Sequence, residues 1–394
     1  MTHGLPLAGL RVVEFVHMVM GPTCGLILAD LGAEVIKVEG VEGDATRTLG
    51  GSGAGYWPTY NRNKRSLAVD LKTPEGLAAV RAVLATADIV TENFRPGAMA
   101  GLGLGYDAVR EIRPDVIYCA MKGFLPGPYE HRPALDEVVQ MMGGLAYMTG
   151  PEGRPLRAGA SVNDVMGGMF AVIGILAAVV ERSRSGRGQE VRTGLFENNV
   201  FLVAQHMLQY AVTGRPASPM PSRTSAWAVY DVFDCADGEQ IFMGAVSDAQ
   251  WHQLLAAFAL PELATDPGLV TNNQRVAARE RFMPRLRALL AGLSKAEIMA
   301  RCERAGLPFA PIARPQDLAA DPHLRASQGF TGVTLADGTH AEVPCLPLAM
   351  DGRRFGTRLD LPAVGQHTRA VLREAGYDEA RLDTLIRTGT LAGP

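Results

Sequence analysis

A chain of 394 residues exceeds one typical core and allows two domains or more. With 47% hydrophobic and 20% charged residues its balance is that of a globular protein, and a formal charge of −3 gives no electrostatic footprint for nucleic acid or an anionic membrane. Five scattered cysteines without a Cys-x-x-Cys, and a start with no basic stretch leading into an apolar one, predict a reduced, cytoplasmic protein.

Residues 10–16 (Leu-Arg-Val-Val-Glu-Phe-Val) read as a buried strand. Gly21-Pro22 turns the chain into a helix over about 23–31, and residues 34–38 form a second strand. After the charged run 61–66 come a strand-like stretch at 67–70, a helix at 74–87 and a strand at 88–92. A helix at 106–112, a strand at 116–120, helices at 136–148 and 164–183, a strand at 189–192 and a helix at 195–212 follow. Strands alternating with helices at this spacing predict a parallel sheet covered on both faces. The proline- and serine-rich stretch 213–225 reads as a linker. Residues 226–325 then read as a smaller α+β domain, with a hairpin at 227–233 and 240–246 and helices at 248–258, 275–293 and 295–305. The remainder, 326–394, carries a strand-like 339–345 and two amphipathic helices, 366–375 and 378–387.

The apolar run 165–180 is the most informative stretch. It falls short of the ~20 residues that span a bilayer, so it reads as a core helix, and a helix apolar on every side must be buried. Ser161, Asn163 and Asp164 at its entrance are all N-cap residue types. Asp164 is therefore expected at the edge of a core, held anionic by the orphan amides and positive end of the helix. That suits a carboxylate nucleophile and, equally, an ordinary cap.

Several chemistries are set aside. The turn after the first strand, His17-Met-Val-Met-Gly-Pro22, has one glycine where a dinucleotide site needs Gly-x-Gly-x-x-Gly. The clusters Gly51-Ser-Gly-Ala-Gly55 and Gly101-Leu-Gly-Leu-Gly105 stand in the wrong order between strand and helix and read as loops. There is no P-loop, no Gly-x-Ser-x-Gly elbow and no metal-binding histidine spacing, so no metal is expected. What remains are Asn93, Arg95 and Lys122 at strand carboxyl ends, where open parallel sheets bind ligands. They suit a phosphorylated or carboxylate ligand, or are plain solvated loop residues. Asn61-Arg-Asn-Lys-Arg-Ser66 reads as a phosphate site or, equally, a charged surface turn, and His17 as a packed histidine.

Taken in order, the motifs resemble one family. They run from Leu7-Ala-Gly-Leu-Arg-Val-Val-Glu-Phe15 with Gly21-Pro22, through Leu31-Gly-Ala-Glu-Val-Ile-Lys-Val-Glu39, Gly43-Asp-Ala-Thr-Arg47, Asn63-Lys-Arg-Ser66 and Asp70-Leu-Lys72. They continue with Glu92-Asn-Phe-Arg-Pro-Gly97, Lys122-Gly-Phe124, Gly127-Pro-Tyr129, the Asp164 helix with Gly186-Arg-Gly-Gln189, Gly365-Gln-His-Thr368 and Gly376-Tyr-Asp378. The chain resembles the family III CoA-transferases, of the carnitine dehydratase and bile-acid-inducible protein type, over nearly its whole length.

The resemblance implies an α/β fold: a large Rossmann-like domain built from both chain ends (1–212 and 326–394), a small middle domain and an interlocked homodimer. It implies acyl-CoA and a small carboxylic acid as substrates, with coenzyme A as part of the substrate and no tightly bound cofactor. It places the catalytic carboxylate on Asp164, which would form a mixed anhydride with the donor acyl group and then a thioester with CoA. It places CoA contacts on Val19, Lys72, Asn93, Phe94, Arg95, Leu102 and Lys122. Three departures stand out. Val19 is glutamine in formyl-CoA transferase, which argues against that substrate pair, and Arg192 stands where many members carry an acidic residue. The α-methylacyl-CoA racemases carry a histidine in Gly-His-Asp-x-x-Tyr where this chain has Ala134-Leu-Asp-Glu-Val-Val139. A racemase, lacking one of its two acid–base groups, is the alternative reading. A non-catalytic CoA-binding chain would be marked by loss of the nucleophile, and Asp164 is present.

Overall fold

Six segments pair side by side as parallel strands: β1 (Arg11–Phe15), β2 (Glu34–Glu39), β3 (Lys64–Val69), β4 (Ile89–Glu92), β5 (Ile117–Lys122) and β6 (Gln189–Gly194). In the computed structural model, which describes residues 4–223 and 225–394, they lie in the order β3-β2-β1-β4-β5-β6. A short terminal strand, Leu391–Ala392, adds antiparallel to the free edge of β3. The winding reverses between β1 and β4, which pair directly, and such a reversal leaves a crevice beyond the carboxyl ends of the two strands.

Alternation along each strand decides which layer a residue joins. Val12, Val35, Ile89, Ile117 and Cys119 face one side, packed with Leu28 and Ala29 of the helix Met20–Asp30 and Ala171 and Ile175 of the helix Val162–Ser185. Their neighbours Val13, Ile36 and Val90 face the other side. There Val80, Val83 and Leu84 of the helix Pro74–Leu84 join Val371 and Leu372 of Thr368–Glu374 and Leu382 and Leu385 of Glu379–Arg387. Each fully buried Val, Leu or Ile among these contributes ~1.5 to 3 kcal/mol. The mixed α/β class predicted from the alternating pattern is therefore the one observed.

The charged run 61–66 is neither a phosphate loop nor a surface turn. The run leads into strand β3 and turns inward, because a carboxylate meets each of its cations. Lys64 Nζ donates to Glu14 Oε1 at 2.8 Å and to the Pro22 carbonyl at 3.1 Å. Arg62 pairs with Asp30 at 2.6 Å, and Asn63 donates to the same carboxylate at 2.7 Å. Ser66 donates to Glu39, and Arg65 is paired with Glu34 and Glu374. Gly25 makes the arrangement possible. A Cβ there would stand 1.7 Å from Glu14 Oε2 and 2.9 Å from Lys64 Nζ, so the helix approaches the sheet this closely because residue 25 has no side chain.

Two predicted helices are broken. The stretch 136–148 divides into Asp136–Met142 and Leu145–Thr149, because Gly144 adopts φ +87° between them. The stretch 275–293 divides at Ala278 into Asn272–Ala277 and Arg279–Leu290. The Asp164 helix, Val162–Ser185, ends at Gly186 in the left-handed conformation, a common helix stop. It is not buried on every side. Met169, Ile173 and Val180 are each about half exposed, and the following helix Leu195–Thr213 leaves Phe201, Leu208 and Tyr210 open. The expectation of a helix buried on every side is therefore not met within the chain.

The chain divides into two compact units, one running to Pro221 and resuming at Pro322, the other Ser222–Asp321. The second unit has a three-stranded antiparallel sheet, Val229–Asp234, Gln240–Ala245 and Phe309–Pro311. Its core joins Phe233, Ile241 and Met243 to Trp251, Phe282 and Ile298 from its helices. The third strand has only three residues, too few to show an alternating pattern, so the sequence pattern alone missed it.

Candidate active site

Beyond the carboxyl ends of β1, β4 and β5, the structure opens a cavity of about 720 Å³. Its walls are the loop after β1, the loop after β4, the residues after β5 and the start of the Asp164 helix. Six residues expected at the site line it: Val19, Asn93, Phe94, Arg95, Lys122 and Asp164. Lys72 lies elsewhere, on a cleft of about 370 Å³ with Glu39, Glu42 and Asp70. Leu102 lines neither and packs against the core on the far side of the sheet.

The loop bearing Val19 is held open by a clasp. The His17 N–H donates to Asn93 Oδ1 and Asn93 Nδ2 donates to the His17 carbonyl, both at 2.9 Å. Met18 follows at φ +64°, a backbone region that non-glycine residues enter only when their surroundings compel it. At Gly21 a Cβ would meet Val16 Cβ at 2.5 Å and Asn93 Cγ at 3.0 Å, so a side chain there would push the clasp apart. The His17 ring stacks on Phe94 with centroids 5.6 Å apart, and burial lowers its pKa, keeping the imidazole neutral near pH 7. The ring rests on Phe94, but the residue as a whole is exposed and lines the cavity, so it is not the packed histidine that the sequence predicted.

Lys122 is not a free cation. Its Nζ donates to Glu92 Oε2 and to the Phe94 carbonyl, both at 2.7 Å, tying the loop after β4 to the end of β5. Burial raises the pKa of Glu92 while Lys122 opposes that rise. Arg192 on β6 lines a separate cavity of about 760 Å³ and pairs with Glu190 at 2.9 Å.

Asp164 stands at the third position of its helix, and its electrostatics reverse the expectation. The helix amides do not hold it anionic. Among the described residues no hydrogen bond reaches its carboxylate, and the amides of Asn163 and Asp164 donate instead to Asp136 Oδ1, at 2.8 and 3.2 Å. Burial, reinforced by the nearby Asp136 charge and opposed by Arg157, pushes the Asp164 carboxyl up to about 7. It is an unbonded carboxylate on a cavity wall, ionised in substantial part at neutral pH. Sequence reasoning overlooked Asp136 and Arg157 in this site. The available signal was Asp136 followed four residues later by Gln140, two polar residues on one helical face otherwise carrying Val139 into the core.

The family model described as CoA-transferase family III matches residues 7–368. The chain belongs to the CoA-transferase family III. Among the relatives of this family III CoA-transferase is the succinate–glutarate CoA-transferase of Agrobacterium fabrum, 34% identical and aligned over 98% of both chains. The succinyl-CoA:glutarate CoA-transferase of Mus musculus is 31% identical over 98% of this chain and 90% of its own length. A solved CaiB/BaiF family protein from Brucella suis superposes with a TM-score of 0.83 at 32% identity, covering 94% of this chain and 99% of its own.

Proposed function

We propose that this CoA-transferase moves CoA from an acyl-CoA donor to a free carboxylic acid through covalent chemistry on Asp164. The observation that carries the reading is the unbonded Asp164 carboxylate on the wall of a cavity at the winding reversal of the sheet. An Asp164 oxygen attacks the donor acyl carbon, the C–S bond breaks, and a mixed anhydride and the CoA thiolate result. The thiolate attacks the aspartyl carbonyl and expels the donor acid as its carboxylate, leaving an Asp164–CoA thioester. The acceptor carboxylate then attacks the thioester, releasing thiolate, which takes the acceptor acyl group and restores free Asp164. One difficult exchange becomes four displacements of similar leaving groups, the benefit of covalent catalysis. No proton is gained or lost over the cycle.

Val19 and Phe94 supply apolar surface for the pantetheine arm, and Asn93, Arg95 and Lys122 line the same cavity; Lys72 and Leu102, which lie off it, would meet only a more distant part of CoA. Dicarboxylic acids are the favoured substrate class. Relatives are named for succinate and glutarate, and Arg95, Arg132 and Arg157 line the cavity to receive a second carboxylate. CoA enters as substrate, and no tightly held cofactor or metal is part of the proposal. The racemase reading lacks support at its key position, where Leu135 takes the place of the histidine.

An interlocked homodimer, in which each chain threads the other, completes the proposal. Its support is the set of open apolar side chains, Met169, Ile173, Phe201 and Leu208, that two consecutive helices leave uncovered. Five free cysteines, four of them buried, fit a cytoplasmic setting.

The test is capture of the intermediate. Incubation with succinyl-CoA and no acceptor should add one CoA to the intact mass of the protein. Hydroxylamine should convert the loaded aspartate to a hydroxamate mapped to Asp164, and an acceptor acid should discharge it. Rapid-quench samples without an adduct, from a donor that is being turned over, would overturn the mechanism.

A further inference from the structure

The first turn of any helix has amides without intrahelical partners, and in the Asp164 helix each can be followed. The Val162 N–H donates to the Ala160 carbonyl at 2.8 Å, and the Val165 N–H to the Ser161 carbonyl at 3.0 Å. Ser161 occupies the N-cap position, yet its side chain makes no cap bond. The two middle amides, of Asn163 and Asp164, go to one carboxylate oxygen of Asp136, which lies on another helix.

Asp136 is itself held. It is 6% exposed. Its second oxygen accepts from Gln140 Nε2, one helical turn along, and lies 3.8 Å from Arg157 Nη2. Gln140 Oε1 in turn accepts the Ala158 N–H at 2.7 Å. A continuous set of hydrogen bonds thus runs from residue 158 through Gln140 and Asp136 of the helix Asp136–Met142 to the start of the Asp164 helix.

A carboxylate near a helix start ordinarily folds back on the free amides and is stabilised there. Those amides are already taken. We infer that Asp136 is a positioning residue of the transferase: by capping the Asp164 helix from a neighbouring helix, it keeps the Asp164 carboxylate unbonded and turned to the cavity. The inference rests on the reading of Asp164 as nucleophile. An oxygen that spends no lone pair on backbone amides keeps its full nucleophilic strength for the acyl carbon.

The electrostatics point the same way. Arg157, Glu137, Arg95, Arg132, Lys122 and His17 also face the cavity, and Asp164 contributes, after burial, to raising the pKa of half-buried Tyr60. Of these charged neighbours, Asp136 and Arg157 are the two that move Asp164. Removing the Asp136 charge therefore makes Asp164 easier to ionise, whereas removing the whole cap frees two amides to bind it.

The experiment uses the full-length enzyme with Asp136→Asn and Asp136→Ala. It measures kcat, KM for succinyl-CoA, the pH profile of kcat/KM and the rate of CoA adduct formation. In Asp136→Asn the amide oxygen still caps the helix, and the acid limb of the profile should move to lower pH. Asp136→Ala should lose ~10-fold or more in kcat and in adduct formation, with KM for succinyl-CoA little changed. A purely structural role would lower thermal stability and leave the pH limb of Asp136→Asn at its wild-type position. That result overturns the inference even if Asp136→Ala does not fold, and so does a folded Asp136→Ala that forms the adduct at the wild-type rate. Failure of the underlying reading looks different: no adduct on Asp164 in the wild-type enzyme itself.

Discussion

Replacing Asp164 by asparagine should stabilise the protein at pH 8 and do so far less at pH 5. Burial and the Asp136 charge raise the Asp164 carboxyl from its ordinary 3.8 to about 7 in the folded chain. The folded protein therefore holds this proton more tightly than the unfolded chain does. That contribution to stability is fully present below pH 3.8 and is lost as pH rises through about 7. At pH 8 the wild-type enzyme carries an ionised, unbonded carboxylate in a site that disfavours it, while asparagine carries no charge at any pH. One pKa unit corresponds to about 1.4 kcal/mol, and screening on the cavity side reduces the total to about 1 to 3 kcal/mol in favour of asparagine at pH 8. In a unit of this size that is a rise of roughly 2 to 6 °C in Tm. Scanning calorimetry of both proteins at pH 5 and pH 8 gives the answer as a difference of differences, which cancels whatever the substitution does independently of pH. An equal Tm difference at the two pH values would refute the assignment of a buried, charge-strained Asp164.

The same variant should lose ~10³-fold or more in turnover, because a carboxamide cannot form the anhydride; a steady-state rate within tenfold of wild type contradicts this. Gly25→Ala should cost about 3 to 5 kcal/mol or prevent folding, since its Cβ would displace Glu14 from Lys64; a urea titration giving wild-type stability would show the helix can retreat. Asn93→Ala removes both arms of the His17 clasp, each worth ~1 kcal/mol, and should raise KM for acyl-CoA several-fold with a smaller change in kcat. Light scattering should give about twice 42.0 kDa at nanomolar protein, and Ile173→Glu, on the open face, should disrupt the assembly; an active monomer would argue against the homodimer.

Local pattern was enough for much of this molecule. Adjacent residues such as Val12 and Val13 face opposite layers because the strand period is two, so the alternating apolar segments and the helices between them announce a covered parallel sheet. The glycine at 186 stops the Asp164 helix by its own conformational freedom, and the ordered motifs along the chain were enough to resemble one family. What the pattern could not say depends on partners distant in the chain. Arg62, Lys64 and Ser66 are buried because Asp30, Glu14 and Glu39 meet them across the sheet, and no property of the run itself separates that from a surface turn. Leu391 finds β3 across more than three hundred residues. Asp164 illustrates the division most clearly: its place in a first helical turn is local, whereas its charge state is set by burial and, after it, by Asp136, which also took the amides that the local rule had assigned to Asp164. Electrostatic environment is a sum over neighbours in space, and those neighbours exist only once the chain has folded.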